Sequence, residues 1–217
     1  IGLFLSSAGK TLLRLVLGAA ICILVAPIIV TFSRAGFLAL AVIFMIYMWR
    51  LRSRPERGWI PAALMLMLLA LPFVPSSYYD RLSTITDIEA DESGSAQARM
   101  ADAQVAAGLI VRNPLIGAGV GMNIFAMNEA RGETSLEVHN VYLQYGVDLG
   151  LPGLLLFLAV LVTCIRWAQD TCNRSARLPD PGGLFYLAEA VKVSLLAFTV
   201  EAACHPVAYN FYFYYIA

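Results

Sequence analysis

A histidine–asparagine pair stands at the start of a long apolar segment, residues 138–165, and is followed by glycines at 146, 150 and 153. Histidine is the side chain best suited to proton transfer near neutral pH, so His139 is the first candidate for acid–base chemistry. At about 100° per residue, a regular helix returns these glycines to within about 40° of the His139 direction. Such a glycine stripe allows a neighbouring helix to approach closely in a membrane. We therefore expect the imidazole to lie where helices converge; a polar helix start is the simpler alternative.

Two arginines and two further ionisable residues complete the candidate set. Arg34 opens an apolar segment in TFSRAGFLAL, where an arginine at the edge of a span suits the binding of an anion. Arg99 precedes Asp102 by three residues and either binds an anion or forms an exposed ion pair with that acid. Asp148 is the only acid of its segment and either orients a partner or pairs with an arginine. His205 precedes a proline and is interpreted as an interfacial histidine at the end of a span.

The composition indicates an integral membrane protein. Hydrophobic residues make up 59% of the chain and charged residues only 14%, whereas soluble domains carry roughly a quarter charged residues. The four cysteines have no spacing typical of a metal site. We expect the lipid bilayer as a partner and no nucleic acid. The chain begins with Ile and stops within an apolar run, so we interpret it as part of a longer polytopic protein.

The apolar runs predict an all-α, polytopic transmembrane fold with about six spans, part of a larger helix bundle. A straight helix needs about 20 apolar residues to cross a bilayer, and interfacial residues complete the shorter runs. The predicted spans are residues 12–32, 35–49, 59–74, 138–165, 184–204 and 207–217, the last of them truncated. We treat residues 1–217 as a single transmembrane domain with one long loop at 75–138.

Charge asymmetry between the loops predicts the orientation. The link at 50–57 carries four arginines against one glutamate, and the link at 166–180 carries three arginines against two aspartates. The loop at 75–138 carries nine acidic residues against four arginines. Because cytoplasmic loops are enriched in Lys and Arg, the short basic loops are predicted to be cytoplasmic and the long loop external. This topology puts the candidate arginines and both histidines on one membrane face.

The long loop has structural signals of its own. Residues 96–112 favour a helix that ends at an Asn-Pro pair, with an apolar side of Met100, Ala103, Ala107 and Ile110. We expect this helix to lie at the membrane interface. The PLIGAGVGMNIF segment that follows contains GxGxG, a weak signal for a phosphate-binding loop because no strand precedes it. A tight loop that packs over the membrane face is the alternative that we favour.

These motifs resemble those of the O-antigen ligase family, the polytopic bacterial glycan ligases and polymerases. The signature of Arg, three residues, Leu is met by Arg34 and Leu38, and that of His, ten residues, Gly is met by His139 and Gly150. The segment from Arg99 to NPLIGAGVGMNIF is similar to the family's loop arginine followed by Pro-Leu-x-Gly-x-Gly. The resemblance extends from about residue 28 to the end of the chain.

The resemblance implies a metal-independent glycosyltransferase without a cofactor, a multi-pass protein of the bacterial inner membrane whose active site faces the periplasm. The donor would be an undecaprenyl-diphosphate-linked glycan. The acceptor would be a sugar hydroxyl of lipid A-core for a ligase, or of another carrier-linked repeat for an O-antigen or exopolysaccharide polymerase. A transporter or flippase for a lipid-linked glycan is the alternative from another class. Because the candidate groups cluster at one face rather than at mid-membrane, an enzyme is favoured.

The same resemblance distributes roles among the candidate residues. His139, Arg34 and Arg99 would be catalytic, with the histidine as proton acceptor and the arginines as bidentate ligands of the diphosphate. Asn140 and Tyr142 would contact the substrate. Three residues are assigned possible supporting roles: Asp148, which stands where glutamate is more usual in the family, Gly150 and His205.

Overall fold

The computed structural model describes residues 1–7, 9–30, 34–51, 95–132, 137–178 and 182–210. Within these ranges the chain forms seven helices and no strand, so the all-α prediction is confirmed there. The helices are α1 (Gly2–Ser6), α2 (Thr11–Val30), α3 (Arg34–Leu51), α4 (Ser95–Arg112), α5 (Asn123–Arg131), α6 (Val141–Ser175) and α7 (Gly182–Glu201). The chain divides into two compact units, each described below by itself. That residues 1–217 form one transmembrane domain stays a prediction.

Three helices are long and apolar enough to cross a membrane: α2, α6 and α7. A shorter apolar helix, Gly36–Arg50, lies within α3. These four helices coincide with the predicted spans 12–32, 35–49, 138–165 and 184–204. The predicted span 59–74 lies outside the described residues, as does 211–217, and residues 207–210 form a turn. The number of six spans and the periplasmic position of the long loop therefore stay predictions.

Helix α6 is longer than the predicted span. It continues to Ser175, so the predicted link at 166–180 begins as helix rather than as loop. The last ten residues of the helix contain no glycine or proline, and Gln169 donates a side-chain hydrogen bond of 2.7 Å to Asn173 one turn away. Because none of these residues disfavours a helix as strongly as glycine or proline does, the charged link extends α6 instead of interrupting it.

One unit comprises Ile1–Thr86 and Trp167–Ala197, and it contains α1, α2, α3 and most of α7. Its core includes Leu5, Tyr47 and Val193. Of the three charged residues inside the predicted span 184–204, Glu201 is exposed and the other two are buried and paired. Glu189 accepts a hydrogen bond of 2.6 Å from Arg50 of α3, and Lys192 donates one of 2.9 Å to Gln169. Such partners offset the free energy of removing charged groups from water.

The second unit comprises Asp87–Arg166 and Phe198–Ala217, and it contains α4, α5 and the first part of α6. Its core is formed by Ala106, Met127, Val138 and Val147. On the predicted apolar side of α4, Met100 is 53% exposed and Ala107 is exposed, so these two residues do not face the core. That this side lies at the membrane interface stays a prediction.

The buried side of α4 carries Asp102 and Ala106, with Val105, Leu109 and Ile110 packed beside them. The carboxylate of Asp102 is buried because Arg131, at the end of α5, pairs with it at 2.5 Å. Hydrophobic periodicity does not register this cross-helix ion pair, which contributes to the buried face of α4.

Candidate functional site

His139 lies two residues before α6 and its side chain is exposed. Its Nδ1 atom is 2.9 Å from the carbonyl oxygen of Glu137. Since a carbonyl can only accept a hydrogen bond, a neutral ring in this position carries its proton on Nδ1. The Nε2 atom then keeps the lone pair and can accept a proton. The backbone contact thus fixes the tautomer of a neutral ring, and the role of His139 as a general base stays a prediction.

The backbone that carries His139 is held by the first residues of α6. Asn140 is the N-cap: its Oδ1 atom accepts a hydrogen bond of 3.1 Å from the backbone N–H three residues later. Its Nδ2 atom donates to the carbonyl of Ala203 at 3.2 Å, and the N–H of Val141 donates to the carbonyl of Ala202 at 2.7 Å. The start of α6 is thus fastened to the residues that follow α7.

The two tyrosines of the first turns of α6 continue this attachment. The hydroxyl of Tyr142 donates to the carbonyl of Thr199 at 2.8 Å. The hydroxyl of Tyr145 donates to the carbonyl of Ala208 at 2.6 Å. Asn140 and Tyr142, predicted to contact substrate, therefore both act in positioning the start of α6. The Tyr142 oxygen retains a lone pair that can accept a further hydrogen bond, and the substrate contact itself stays a prediction.

Helix α6 is interrupted at Gly150, where φ is 70° and ψ is −170°. Two residues later Pro152 lacks the N–H that would normally bond the carbonyl of Asp148. The N–H of Gly119 supplies the missing donor, at 2.9 Å from that carbonyl oxygen. The break therefore lies where the sequence has removed one backbone hydrogen bond and the 114–119 loop replaces it.

Two further backbone hydrogen bonds complete the contact between the loop and the break. The N–H of Ala118 donates to the carbonyl of Val147 at 2.7 Å, and the N–H of Leu151 donates to the carbonyl of Pro114 at 2.7 Å. In a regular helix Leu151 would bond Val147 directly. The break separates these two groups, and the loop satisfies each of them, as buried backbone groups require.

The contact has room for glycine only, at two positions. A Cβ atom on Gly150 would lie 2.6 Å from the carbonyl oxygen of Pro114. A Cβ atom on Gly117, whose φ is 71°, would lie 2.6 Å from the carbonyl oxygen of Asp148. The glycine at the end of the His139–Gly150 signature and the first glycine of the GxGxG segment are thus opposite sides of one backbone contact.

The glycine stripe predicted along a regular helix is wrong, because the break at Gly150 changes the direction of the residues after it. Only Gly146 faces another helix: a Cβ atom there would lie 2.5 Å from Ile110 of α4. Gly150 faces the 114–119 loop, and Gly153 faces the side chain of Leu149 from its own helix.

The GxGxG segment is a packing loop. The N–H groups of Ala118 and Gly119 are bonded to carbonyls of α6, so they are not available to surround a phosphate, which a phosphate-binding loop requires. These two residues pack against α6, and the position of the segment over the membrane face stays a prediction.

Asp148 lies at the centre of a buried polar cluster with an exposed fraction of 0%. Its Oδ2 atom accepts hydrogen bonds from the Tyr209 hydroxyl at 2.8 Å and from Asn123 Nδ2 at 3.2 Å. Of the two predicted alternatives, orientation of a partner is therefore the one observed in the described part of the chain. The Oδ1 atoms of Asp148 and Asn123 are buried without a hydrogen-bond partner among the described residues. Sequence analysis assigned neither residue to this cluster: Asn123 lies within the PLIGAGVGMNIF segment, but nothing local indicates that it meets Asp148 or Tyr209.

Arg99 is exposed on α4. The ion pair predicted between Arg99 and Asp102 is wrong, because the buried carboxylate of Asp102 pairs with Arg131. Arg131 ends α5, and the following Gly132 adopts a left-handed conformation that terminates the helix. The Arg-Gly sequence thus indicates the end of a helix, but nothing local indicates the partner of the arginine.

Arg34 is the first residue of α3 and belongs to the unit that contains α2, whereas Arg99 and His139 belong to the other unit. The Arg34 side chain and the preceding Ser33 lie outside the described part of the chain. Convergence of the two arginines on one diphosphate stays a prediction. His205 is half-buried, and its Nδ1 atom is buried without a hydrogen-bond partner in the described ranges. The hydrogen bonding expected of a satisfied interfacial histidine is therefore not found at this atom.

Comparison with known proteins identifies the family. The model of the family described as O-antigen ligase matches residues 12–158. This range includes both candidate arginines, His139 and the break at Gly150, begins earlier than the resemblance read from the motifs, and ends before α7. No curated protein and no solved structure matches the chain at a significant level. Because the family match covers well over half of the chain, the protein belongs to the O-antigen ligase family.

Proposed function

We propose that the protein transfers a glycan from undecaprenyl diphosphate to a hydroxyl of lipid A-core, on the periplasmic face of the inner membrane. Family membership supports a reaction of the ligase or polymerase type. The observation that carries the proposal is the geometry of His139, whose Nδ1 atom is bonded to the Glu137 carbonyl while the side chain remains exposed. Nε2 is then an acceptor at a surface that a large glycan can reach.

In the proposed step the acceptor hydroxyl oxygen attacks the sugar carbon bonded to the diphosphate. A new glycosidic C–O bond forms, the bond between that carbon and the diphosphate oxygen breaks, and undecaprenyl diphosphate leaves. The hydroxyl proton passes to Nε2 of His139. General-base assistance of this kind typically contributes about 10²- to 10⁴-fold in rate.

Arg34 and Arg99 are proposed to bind the diphosphate and to stabilise the charge that develops on it as it leaves. A guanidinium is permanently charged and offers two parallel donors, which match two phosphate oxygens. Arg99 suits this role because it is exposed and because Asp102, the nearest acid on its helix, is already paired with Arg131.

Asp148 and Gly150 are proposed to support the site by holding the first part of α6. Asp148 binds the side chains of Tyr209 and Asn123, and Gly150 admits the 114–119 loop. The expected result of losing either is a less well positioned His139, and displacement by about 1 Å can cost about 100-fold in rate. Asn140 and Tyr142 are proposed as substrate contacts and His205 as a further supporting residue.

The proposal is tested with purified full-length protein, a carrier-linked glycan and lipid A-core, in the presence and absence of a chelator. His139→Ala should lose transfer by about 10²- to 10⁴-fold while retaining its unfolding midpoint, because the side chain is exposed. His139→Gln distinguishes proton transfer from hydrogen bonding alone. Transfer at nearly the normal rate by the alanine variant between pH 6 and 8 would contradict the assignment.

The arginine roles are tested in the same assay. Arg99→Lys should lose most activity, because lysine retains the charge but not the bidentate fork. Arg112→Lys is the matched control, since Arg112 is also exposed on α4 and is outside the proposed site. Equal activity of the two variants would remove Arg99 from the diphosphate site.

The two alternatives use the same preparation. A polymerase would extend a second carrier-linked repeat and leave lipid A-core unmodified. A flippase would move the carrier-linked glycan across a proteoliposome membrane without forming a new bond, and the broken helix α6 is a feature shared with many transporters. In transporters, however, the backbone groups freed by a break bind substrate, whereas those at Gly150 are bonded to the 114–119 loop. The enzyme is therefore preferred.

A further inference from the structure

The segment from the end of α4 to α5 presents a set of large apolar side chains to the exterior. Their exposed fractions range from 65% to 81%. We name this set the apolar rim; its members are Val111, Leu115, Ile116, Val120 and Phe125. An exposed apolar set of this size, within one short segment, is typical of a surface that contacts a protein or a membrane.

The backbone beneath the apolar rim is fixed. The three hydrogen bonds between the 114–119 loop and α6 hold the loop on both sides of the break at Gly150. The loop cannot turn to bury Leu115 and Ile116 without losing those bonds. The outward direction of the rim is therefore maintained by the same contact that satisfies the broken helix.

The rim adjoins a surface that already belongs to a candidate membrane-spanning helix. The N–H of Leu151 donates to the carbonyl of Pro114, directly before Leu115. Beyond Leu151, which is 44% exposed, α6 exposes Leu155 and Leu156 at 63% and 67%. Within this unit, the exposed apolar side of α6 therefore begins at the residue to which the loop is bonded.

The charges beside the apolar rim fit a phospholipid surface. The exposed charged residues of α4 are Arg99 and Arg112, since Asp102 is buried and paired with Arg131. Arg112 directly follows the first rim residue in the sequence. A long basic side chain at the edge of an apolar surface can reach phosphate headgroups while the apolar groups enter the acyl region.

We propose that the apolar rim inserts into the headgroup–acyl boundary of the bilayer that α6 crosses, so that the 111–125 segment is a membrane anchor of the long loop. The occupant of the rim is lipid. The face of α4 that carries Met100 and Ala107 extends the same surface along the helix. The proposal does not depend on glycan transfer.

The test uses spin labels on full-length protein in nanodiscs of phosphatidylethanolamine and phosphatidylglycerol. In a version whose four native cysteines are alanine, single substitutions Ile116→Cys and Val120→Cys carry the label. Leu155→Cys is the lipid-facing control and Glu129→Cys, exposed on α5, is the water-facing control. The measured quantity is the ratio of collision rates with oxygen, which concentrates in lipid, and with a water-soluble nickel chelate.

Rim labels in lipid should give a ratio of oxygen to nickel collision rates above one, as at position 155. The label at position 129 should give a ratio below one. A ratio below one at both rim positions places them in water and overturns the proposal. Low collision rates with both reagents place the rim against protein, either another part of the chain or a second copy, and also overturn it. Because no readout involves transfer, failure of the proposed function leaves this result unaffected.

Discussion

Replacement of Gly150 by alanine places a methyl group where the backbone of the 114–119 loop already lies. The new Cβ atom would be 2.6 Å from the carbonyl oxygen of Pro114 and 2.9 Å from the carbonyl carbon of Leu115. Neither neighbour is a flexible side chain, so the contact cannot be relieved by a change of rotamer. Either the loop leaves α6 or the helix break changes its conformation.

The expected loss of stability has two parts. The backbone of Gly150, at φ 70° and ψ −170°, lies in a region nearly restricted to glycine, and alanine there costs about 1–3 kcal/mol. Displacement of the loop breaks up to three backbone hydrogen bonds, and each buried group left unpaired costs about 1–3 kcal/mol. If local relaxation preserves two of the three bonds and the third leaves one buried α6 group unpaired, the free energy of unfolding falls by about 2–6 kcal/mol.

The assay is equilibrium unfolding of the full-length protein in mixed micelles, with three matched glycine variants. Gly117→Ala should resemble Gly150→Ala, because its Cβ atom would meet the opposite side of the same contact. Gly121→Ala has a φ of 73° but no atom within 4 Å, so only the left-handed backbone contributes, about 1–2 kcal/mol. Gly108→Ala, inside α4 with no atom within 4 Å, should stabilise by about 1 kcal/mol.

The double variant Gly117→Ala/Gly150→Ala provides the sharper test. Since both substitutions disrupt one contact, the second should add much less than it does alone. Strict additivity, or a Gly150→Ala protein as stable as Gly121→Ala, would refute the reasoning that the loop and the break form one unit.

Three further predictions separate stability, activity and topology. Arg131→Ala should lower the free energy of unfolding by about 1–3 kcal/mol, because it leaves a buried carboxylate unpaired. Arg99→Ala should change the free energy of unfolding by no more than about 0.5 kcal/mol and yet abolish transfer. Equal effects of the two variants on unfolding would contradict the observed pairing of Asp102 with Arg131. Asp148→Asn, which can still accept hydrogen bonds, should retain more stability than Asp148→Ala by about 1–3 kcal/mol in the same unfolding assay. In a cysteine-free background, an impermeant thiol reagent added to spheroplasts should label Glu129→Cys and not Arg177→Cys, and the reverse pattern would invert the proposed orientation.

Local patterns were sufficient to predict the family and five of the seven described helices, whereas α1 and α5 were not predicted. Runs of apolar residues predict α2, α3, α6 and α7 because a helix that crosses a membrane satisfies its own backbone hydrogen bonds. The Asn-Pro pair after Arg112 correctly predicts the end of α4. Motif spacing also identified the O-antigen ligase family, because the ten residues between His139 and Gly150 are a local feature of the chain that needs no tertiary information.

The contacts between elements were decided by tertiary structure. Asp148 is bonded to residues 25 and 61 positions away, and Asp102 takes an arginine 29 positions away in preference to Arg99, three positions away. Helical periodicity gives the direction of a side chain within its helix but not the identity of the group that will meet it. Burial decides which arginine pairs with Asp102. A charged hydrogen bond across the interface stabilises a buried carboxylate more than an ion pair with an exposed neighbour on its own helix does.

The break in α6 shows most directly which features the sequence determines and which depend on tertiary structure. From the sequence, Pro152 indicates a missing hydrogen bond and Gly150 a flexible position, and both are compatible with a kinked but continuous helix. Only the folded chain brings the N–H groups of Ala118 and Gly119 to the carbonyls that the break exposes. The sequence alone therefore determines where a backbone group loses its local partner. Which distant segment replaces that partner depends on tertiary packing, because the replacement exists only once the loop has closed on the helix.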